Sequence, residues 1–176
     1  VAYGLRMRKL PREEIAARVA RALDLVKLGA FAGRRPKQLS GGQMQRVAIA
    51  GVVAMKPKVL ILDEPTSQLD PQGSDEVFKV VENLTKEGIT IIMAEQKMEK
   101  IAQYADRVLL LDDAKLIAYD TPEAIFSRED LASLGVQPPA VTAIARHLNK
   151  RKANGHYPVE LDELKGLLAE EGVPHE

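Results

Sequence analysis

The first residues that could do chemistry are the Ser40-Gly41-Gly42 triplet, which the pattern places at the start of a helix. A serine followed by two glycines leaves backbone N–H groups bare where the helix dipole is positive. Such a helix start can bind an anion, for example a phosphate group. Taken alone, the triplet is more often a flexible turn with a serine N-cap, so both interpretations stay open at this point.

Two adjacent carboxylates, Asp63 and Glu64, follow the apolar run Val59–Leu62. The short run predicts a strand buried on both faces of a parallel sheet, and such sheets bind ligands at the C-terminal ends of their strands. Because neighbouring side chains on a strand point to opposite sides, one carboxylate could hold Mg²⁺ through water while the other polarises an attacking water molecule. The alternative is a strand end whose acids only face solvent.

A third acidic residue, Asp70, stands directly before Pro71. This order predicts a helix whose N-cap is Asp70 and whose first residue is Pro71. An Asp70 side chain that caps this helix could also have a second role.

Helices and strands must alternate to position these residues. Helices are predicted over residues 12–28, 41–54, 72–86 and 97–104, and strands over 59–62, 89–94, 107–111 and 115–119. The last two strands form a hairpin, Gly29 and Gly88 end the first and third helices, and Thr121-Pro122 begins another helix. This alternation predicts an α/β layer architecture.

Residues 135–176 have a different pattern, because Gly135 and two prolines form a linker before two apolar stripes. The stripes consist of Val141, Ile144, Ala145 and Leu148, and then of Leu161, Leu164 and Leu168. They predict a helical tail that packs on the core or on a partner.

The composition indicates a soluble globular domain, with 176 residues, 45% hydrophobic and 28% charged. Lys+Arg and Asp+Glu balance at 25 each, so no overall field attracts nucleic acid or anionic lipid. The absence of cysteine excludes disulfides and thiolate metal sites. His147, His156 and His175 are distant from the acidic segments and are interpreted as ordinary polar residues.

In their order and spacing, the three segments resemble the nucleotide-binding domain of ABC transporters. Leu39–Gln43 resembles the signature motif of this family, and Gln45–Ala50 after it is also similar. Leu60–Pro65 resembles the Walker B strand with its catalytic glutamate, and Ser67–Asp70 resembles the D-loop. The resemblance extends to about Leu134.

This resemblance implies a P-loop NTPase-type fold, which is an α/β fold with a mostly parallel sheet, flanking helices and a helical signature subdomain. Residues 1–134 would be the C-terminal portion of the ATPase domain, with the helical subdomain over about 1–55 and the catalytic core over about 56–134. Residues 135–176 would be a helical C-terminal tail. The N-terminal part of the domain is expected to be missing from this chain.

In the family, two such domains sandwich two ATP molecules head to tail, so the resemblance implies ATP and Mg²⁺ as cofactors. The residues that would contact the ATP held by the partner subunit are Leu39, Ser40, Gly41, Gly42 and Gln43. Asp63 would serve Mg²⁺, Glu64 would be the general base, and Asp70 would touch the opposite subunit.

The sequence departs from the family pattern in two places. No Gly-x-x-x-x-Gly-Lys-Ser/Thr loop occurs, and the Q-loop is also missing, so we expect an upstream segment in the natural protein and no hydrolysis by this chain alone. Gln96 stands where the family usually has a histidine that contacts the γ-phosphate. A glutamine amide can donate a hydrogen bond but cannot become cationic, so slower hydrolysis is a hypothesis.

Lys37-Gln38 and Asp120–Phe126 resemble the importer branch, and the tail is similar to the ATPases of energy-coupling factor transporters. The resemblance implies an ATP-hydrolysing motor subunit on the inner, cytoplasmic face of the cell membrane. Its partners would be a second ABC ATPase subunit, in a homodimer or heterodimer, and integral membrane subunits, without nucleic acid. An alternative is a non-catalytic subunit that lends its signature motif to another subunit's ATP. An ABC-like ATPase of DNA repair would need heptads or a basic patch, and neither occurs.

Overall fold

The computed structural model of the chain describes residues 1–169; His175 and the last part of the predicted tail lie outside this range. In chain order the elements are α1 (Tyr3–Met7), α2 (Arg12–Leu25), α3 (Gly41–Val53), β1 (Val59–Asp63), α4 (Pro71–Lys86), β2 (Thr90–Ala94), α5 (Met98–Tyr104), β3 (Val108–Asp112), β4 (Lys115–Asp120), α6 (Pro122–Phe126), α7 (Ala140–His147) and α8 (Leu161–Ala169). Within residues 1–169, the helices are too short or too polar to cross a lipid bilayer. The chain divides into two compact units, Val1–Gln96 and a unit that begins at Lys97.

In the first unit, β1 and β2 pair in parallel, with Val59 opposite Thr90 and Asp63 opposite Ala94. The helix α4 connects the two strands, and its Val77, Val80 and Leu84 are fully buried. Together with side chains from α1, α2, α3 and β1 they form one hydrophobic core. This packing fixes the C-terminal ends of β1 and β2 side by side, which confirms the predicted parallel α/β arrangement.

The prediction that β1 is buried on both faces is wrong for the described structure. Leu60 and Leu62 point into the core, whereas Ile61 is 72% exposed and Val59 is 49% exposed. Side chains alternate between the two faces of a strand, and the helices of this unit cover only the face that carries Leu60 and Leu62. The sheet therefore presents an apolar face to solvent.

The first long helix, α2, ends earlier than predicted. Its C-cap is Val26, and Lys27 adopts the left-handed conformation at φ 57°. The N–H of Leu28 donates to the carbonyl of Leu23 at 2.8 Å, and the Leu28 side chain is buried. Burying Leu28 in the core requires the helix to turn before it, so Lys27 takes the place predicted for Gly29.

The second unit contains the antiparallel hairpin of β3 and β4, as predicted, with a bulge between Leu110 and Leu111. Thr121 caps α6 by accepting a hydrogen bond from the N–H of Ala124 at 3.3 Å. The core of this part contains Leu110, Ile125, Phe126 and Leu131.

The helices α7 and α8 form the described part of the tail. Ala145, Tyr157 and Leu164 are buried together between them. Ile144 and Leu148 were predicted in the apolar stripe, but they are 51% and 44% exposed, because α7 packs against Tyr157 and Leu164 with the side that carries Ala145. Lys152 donates hydrogen bonds to Glu123 in α6 and to Glu163 in α8, which ties the tail to the hairpin part of this unit. The domain boundary at residue 134 stays a prediction.

Candidate functional site

The signature segment begins at a capped helix start. Ser40 Oγ accepts from the N–H of Gln43 at 3.2 Å, and the Gln43 side chain accepts from the N–H of Ser40 at 3.1 Å. This reciprocal pair is a capping box. The first N–H groups of a helix have no partner inside the helix, so those of Gly41 and Gly42 are available to an anion. Leu39, just before the cap, is half-buried.

The starts of α3 and α4 touch each other through two glycines. A Cβ on Gly42 would lie 3.2 Å from Gly73 Cα, and a Cβ on Gly73 would lie 2.8 Å from Asp70 Oδ1. Asp70 caps α4, as predicted, by accepting from the N–H of Gly73 at 2.7 Å. The close approach of the two backbones therefore favours glycine at position 42, whereas a Cβ at position 73 would meet the carboxylate that caps α4. The contact between the two glycines packs the signature segment against the segment that contains Asp70.

An ion pair between the buried Arg46 and the half-buried Glu76 holds the same two helices together further along. The Arg46 guanidinium, in α3, donates to Glu76 Oε2, in α4, at 2.7 Å and to the carbonyl of Val26 at 3.3 Å. Arg46 is only 6% exposed. The sequence contains no local signal for this pair, because its partners lie 30 residues apart.

A cleft of about 410 Å³ lies where α3 and α4 begin, with Ser40–Gln43 on one side and Gln68–Asp70, Gln72, Gly73 and Glu76 on the other. Its two carboxylates are both engaged, Asp70 by the Gly73 N–H and Glu76 by Arg46. The first residues of α3 therefore line a cleft whose negative charge is partly neutralised.

The second group of site residues lies at the C-terminal ends of β1 and β2. Asp63 is the last residue of β1, and its side chain is exposed. Glu64 follows in the left-handed conformation at φ 42°, which costs a non-glycine residue roughly 1–3 kcal/mol. Its N–H donates to the carbonyl of Ala94 at 3.0 Å. The Gln96 amide donates to Glu64 Oε1 at 2.5 Å, so the structure brings the predicted base and Gln96 into direct contact.

Three further residues surround this contact. The sequence pattern placed Ser67 in the segment that resembles the D-loop, but it gave no role to Thr66 or Glu95. Thr66 is fully buried, and its hydroxyl donates to Glu95 Oε2 at 2.6 Å. Glu95 Oε1 accepts from the N–H of Gln96 at 2.9 Å. The Ser67 N–H and hydroxyl both donate to the carbonyl of Glu64, at 3.2 and 3.1 Å. The turn after β1 and the end of β2 are thus joined by side chains as well as by the strands.

Asp63 fits a magnesium ion that is also held by phosphate. Proteins bind Mg²⁺ through one or two carboxylates together with substrate phosphates and water, and an exposed carboxylate at a strand end supplies this donor. Among residues 1–169, no group of three or more histidine or acidic side chains could form an all-protein metal site. For the phosphates of ATP, the chain offers the N–H groups at the start of α3 but contains no Gly-x-x-x-x-Gly-Lys-Ser/Thr loop.

The fold and this arrangement define a P-loop NTPase-type domain. The structure of CbiO1 from Clostridium perfringens, described as part of the ABC transporter complex cbiONQ, aligns with a TM-score of 0.68 and 33% identity over 96% of this chain and 59% of that chain. An ATP-binding cassette of an ABC transporter aligns with a TM-score of 0.65 and 26% identity over 73% of this chain and 53% of that one.

The ABC transporter family profile matches residues 3–67. The energy-coupling factor transporter ATP-binding protein EcfA1 of Ligilactobacillus salivarius is 44% identical over 153 residues, covering 86% of this chain and 54% of the relative. EcfA of Methanocaldococcus jannaschii is 40% identical over 152 residues, with coverages of 86% and 54%. The chain thus spans about half the length of these curated relatives. It belongs to the family of ABC transporter ATP-binding proteins.

Proposed function

We propose that the full-length protein containing this chain is the ATP-hydrolysing motor subunit of an ABC-type importer of the energy-coupling factor kind. The observation that carries the proposal is the 2.5 Å hydrogen bond from the Gln96 amide to Glu64 at the paired strand ends, beside the exposed carboxylate of Asp63. The relatives named as energy-coupling factor ATP-binding proteins support the same conclusion.

In this proposal, Glu64 is the general base of hydrolysis. Its carboxylate accepts a proton from a water molecule that attacks the γ-phosphate, and the neutral Gln96 amide holds the carboxylate in place. Asp63 would hold Mg²⁺, and the ion would neutralise charge on the phosphate oxygens. The left-handed backbone of Glu64 fixes the direction of its side chain, which is the kind of strain that occurs at functional sites.

The signature residues act on a second subunit. The N–H groups of Gly41 and Gly42, with the Ser40 cap, bind the phosphate of ATP held by that subunit, and Asp70 contacts it across the interface. The Gly42–Gly73 contact and the Arg46–Glu76 pair make these residues one rigid block. The partners are therefore another ABC ATPase subunit, identical or related, and integral membrane subunits, which place the protein on the cytoplasmic face of the membrane.

The second candidate function is a non-catalytic subunit that supplies only its signature segment. It is favoured by the glutamine at position 96. The two candidates differ in whether the protein's own Glu64 supports turnover.

The test is ATP hydrolysis and ATP binding by the full-length protein and its Glu64→Gln variant. The variant should bind ATP normally but turn over at least about 100-fold more slowly, because it loses the general base. Glu13→Gln, at an exposed position in the first turn of α2, is the matched control and should retain wild-type rates. Equal rates in wild type and Glu64→Gln would remove Glu64 from the base role and favour the non-catalytic subunit.

A further inference from the structure

We propose that Glu95 is a positioning residue, which places Gln96 and through it Glu64. This inference rests on the proposed hydrolysis at Glu64. Glu95 itself would touch neither ATP nor the attacking water. It acts by linking the turn after β1 to the first residues after β2.

The first step of the argument is the pair of contacts made by the Glu95 carboxylate. Oε2 accepts from the Thr66 hydroxyl at 2.6 Å, and Oε1 accepts from the N–H of Gln96 at 2.9 Å. Hydrogen bonds to a charged carboxylate are short and about twice as strong as neutral ones. Because Thr66 is fully buried, its hydroxyl is a fixed anchor for Glu95.

The second step is that these contacts belong to a closed ring. From Glu95 the ring passes through the Gln96 backbone to the Gln96 amide, then to Glu64, and returns along the turn to Thr66. The Ser67 N–H, bonded to the Glu64 carbonyl, tightens that turn. A displacement of Glu95 therefore moves Gln96, which bonds the carboxylate of Glu64. It also moves the turn that contains the Glu64 backbone.

The third step concerns the kind of hydrogen bond that Gln96 can make. Its amide is neutral, so its hold on the Glu64 carboxylate depends on distance and angle without help from a positive charge. Gln96 is also exposed, so few packing contacts restrain it. The bond from its own N–H to Glu95 supplies the missing restraint on the backbone.

The experiment compares two substitutions at Thr66 in the full-length protein. Thr66→Val has nearly the same volume but removes the hydroxyl donor, whereas Thr66→Ser keeps it. We expect Thr66→Val to lower kcat for ATP hydrolysis about tenfold with little change in KM, and Thr66→Ser to stay within about twofold of wild type. Wild-type kcat in Thr66→Val would overturn the inference while leaving the proposed function intact.

A double-mutant comparison separates positioning from a general loss of stability. If Glu95 acts through Gln96, then adding Glu95→Ala to a Gln96→Ala variant should lower kcat by no more than about twofold, although Glu95→Ala alone lowers it about tenfold. If the double variant instead loses kcat by the product of the two single losses, Glu95 acts independently of Gln96 and the inference is wrong. A wild-type protein without ATP hydrolysis would instead overturn the proposed function, and this inference with it.

Discussion

At the residue scale, the site depends on one unusual backbone conformation. Glu64 is a bulky residue at positive φ, held there by the bond from its N–H to Ala94 and by the bonds from Ser67 to its carbonyl. A glycine would adopt this conformation without strain, but it would carry no carboxylate. Glu64 therefore combines an energetically unfavourable backbone conformation with a side chain that could act as a base.

The prediction at this scale concerns the residue that bonds Glu64. Replacing Gln96 with histidine in the full-length protein should raise kcat for ATP hydrolysis several-fold, because an imidazole can become cationic near neutral pH and stabilise charge on phosphate. Gln103→His, at an exposed position in α5, is the control and should leave kcat unchanged. No gain from Gln96→His would show that the glutamine does not slow the reaction.

The contacts around Glu64 also show which parts of the site the sequence could predict. The order of Asp63 and Glu64 after an apolar run was sufficient to predict a strand end with two carboxylates, because strand formation is a local pattern. The bond between Thr66 and Glu95 was not predictable, since it joins residues 29 positions apart and depends on how β1 and β2 pair. Neither residue stands out by type alone.

At the element scale, α3 and α4 are the parts that fix the signature segment. Their starts touch at Gly42 and Gly73, and the Arg46–Glu76 pair joins them about one turn further along. The caps at Ser40 and Asp70 were predictable because a cap is set by neighbouring residues. The end of α2 was not, because the burial of Leu28, a tertiary contact, decides it.

Gly42→Ala should destabilise the first unit. The added Cβ would meet Gly73 Cα at 3.2 Å, so the two helix starts must move apart, at a cost of about 1–3 kcal/mol. Gly51→Ala, in the same helix, has its nearest neighbour at 3.9 Å and should be neutral or stabilising by up to about 1 kcal/mol. Urea unfolding of both variants measures the difference. Equal stability of the two would contradict the backbone contact.

In the tail, Lys152 donates hydrogen bonds to two carboxylates, those of Glu123 and Glu163. Burial by itself raises the pKa of Glu163, but bonds from Lys152 and from the N–H groups of Val159 and Glu160 outweigh it and lower the pKa below the ordinary 4.5. Burial lowers the pKa of Lys152, but its bonds to Glu123 and Glu163 raise it above 10.5. Glu163 therefore stabilises the fold above its unfolded pKa, and this is lost as pH falls through the folded value. The Lys152 contribution is lost only as pH rises through its folded value.

Lys152→Met should consequently lower the hydrogen-exchange protection of α8 at neutral pH. In this variant the protection should also change less as the pH is lowered. Methionine keeps an apolar stem but removes the ammonium, which leaves both carboxylates without this donor. Lys165→Met, in α8, is the control, because within residues 1–169 the ion-pair partner of Lys165 is the exposed Asp162. Amide hydrogen exchange along α8, measured between pH 4 and 8, compares the variants. Equal protection of α8 in the two variants would show that Lys152 does not hold the tail.

At the scale of the whole molecule, each of the two units has its own hydrophobic core, and each has an apolar sheet face in contact with solvent. In the first unit, Val59 and Ile61 lie on this face. In the second, the exposed large hydrophobic residues of the hairpin are Leu109, Leu111, Leu116, Ile117 and Tyr119. Exposed apolar faces of this kind promote association. The sequence predicted apolar strands but could not show which face the helices cover.

We therefore expect the 176-residue chain, produced alone, to self-associate through these faces. Ile61→Thr should reduce light scattering at equal concentration without lowering the unfolding midpoint, because the side chain is 72% exposed and threonine suits a strand. Leu60→Thr, on the buried face of the same strand, should instead cost about 2–4 kcal/mol of stability. Unchanged scattering in Ile61→Thr would exclude this face as the surface of association.

The bond between Glu64 and Gln96 also has a consequence for the order of folding. It closes a loop of 32 positions, so it can form only after α4 has folded between the two strands and they have come together. Loops of this length must lose chain entropy before any contact between their ends is gained. In a partly folded chain with intact helices, the acidic residues of the site would thus be present but would not yet lie together. The contact between the proposed base and Gln96 therefore forms late in folding.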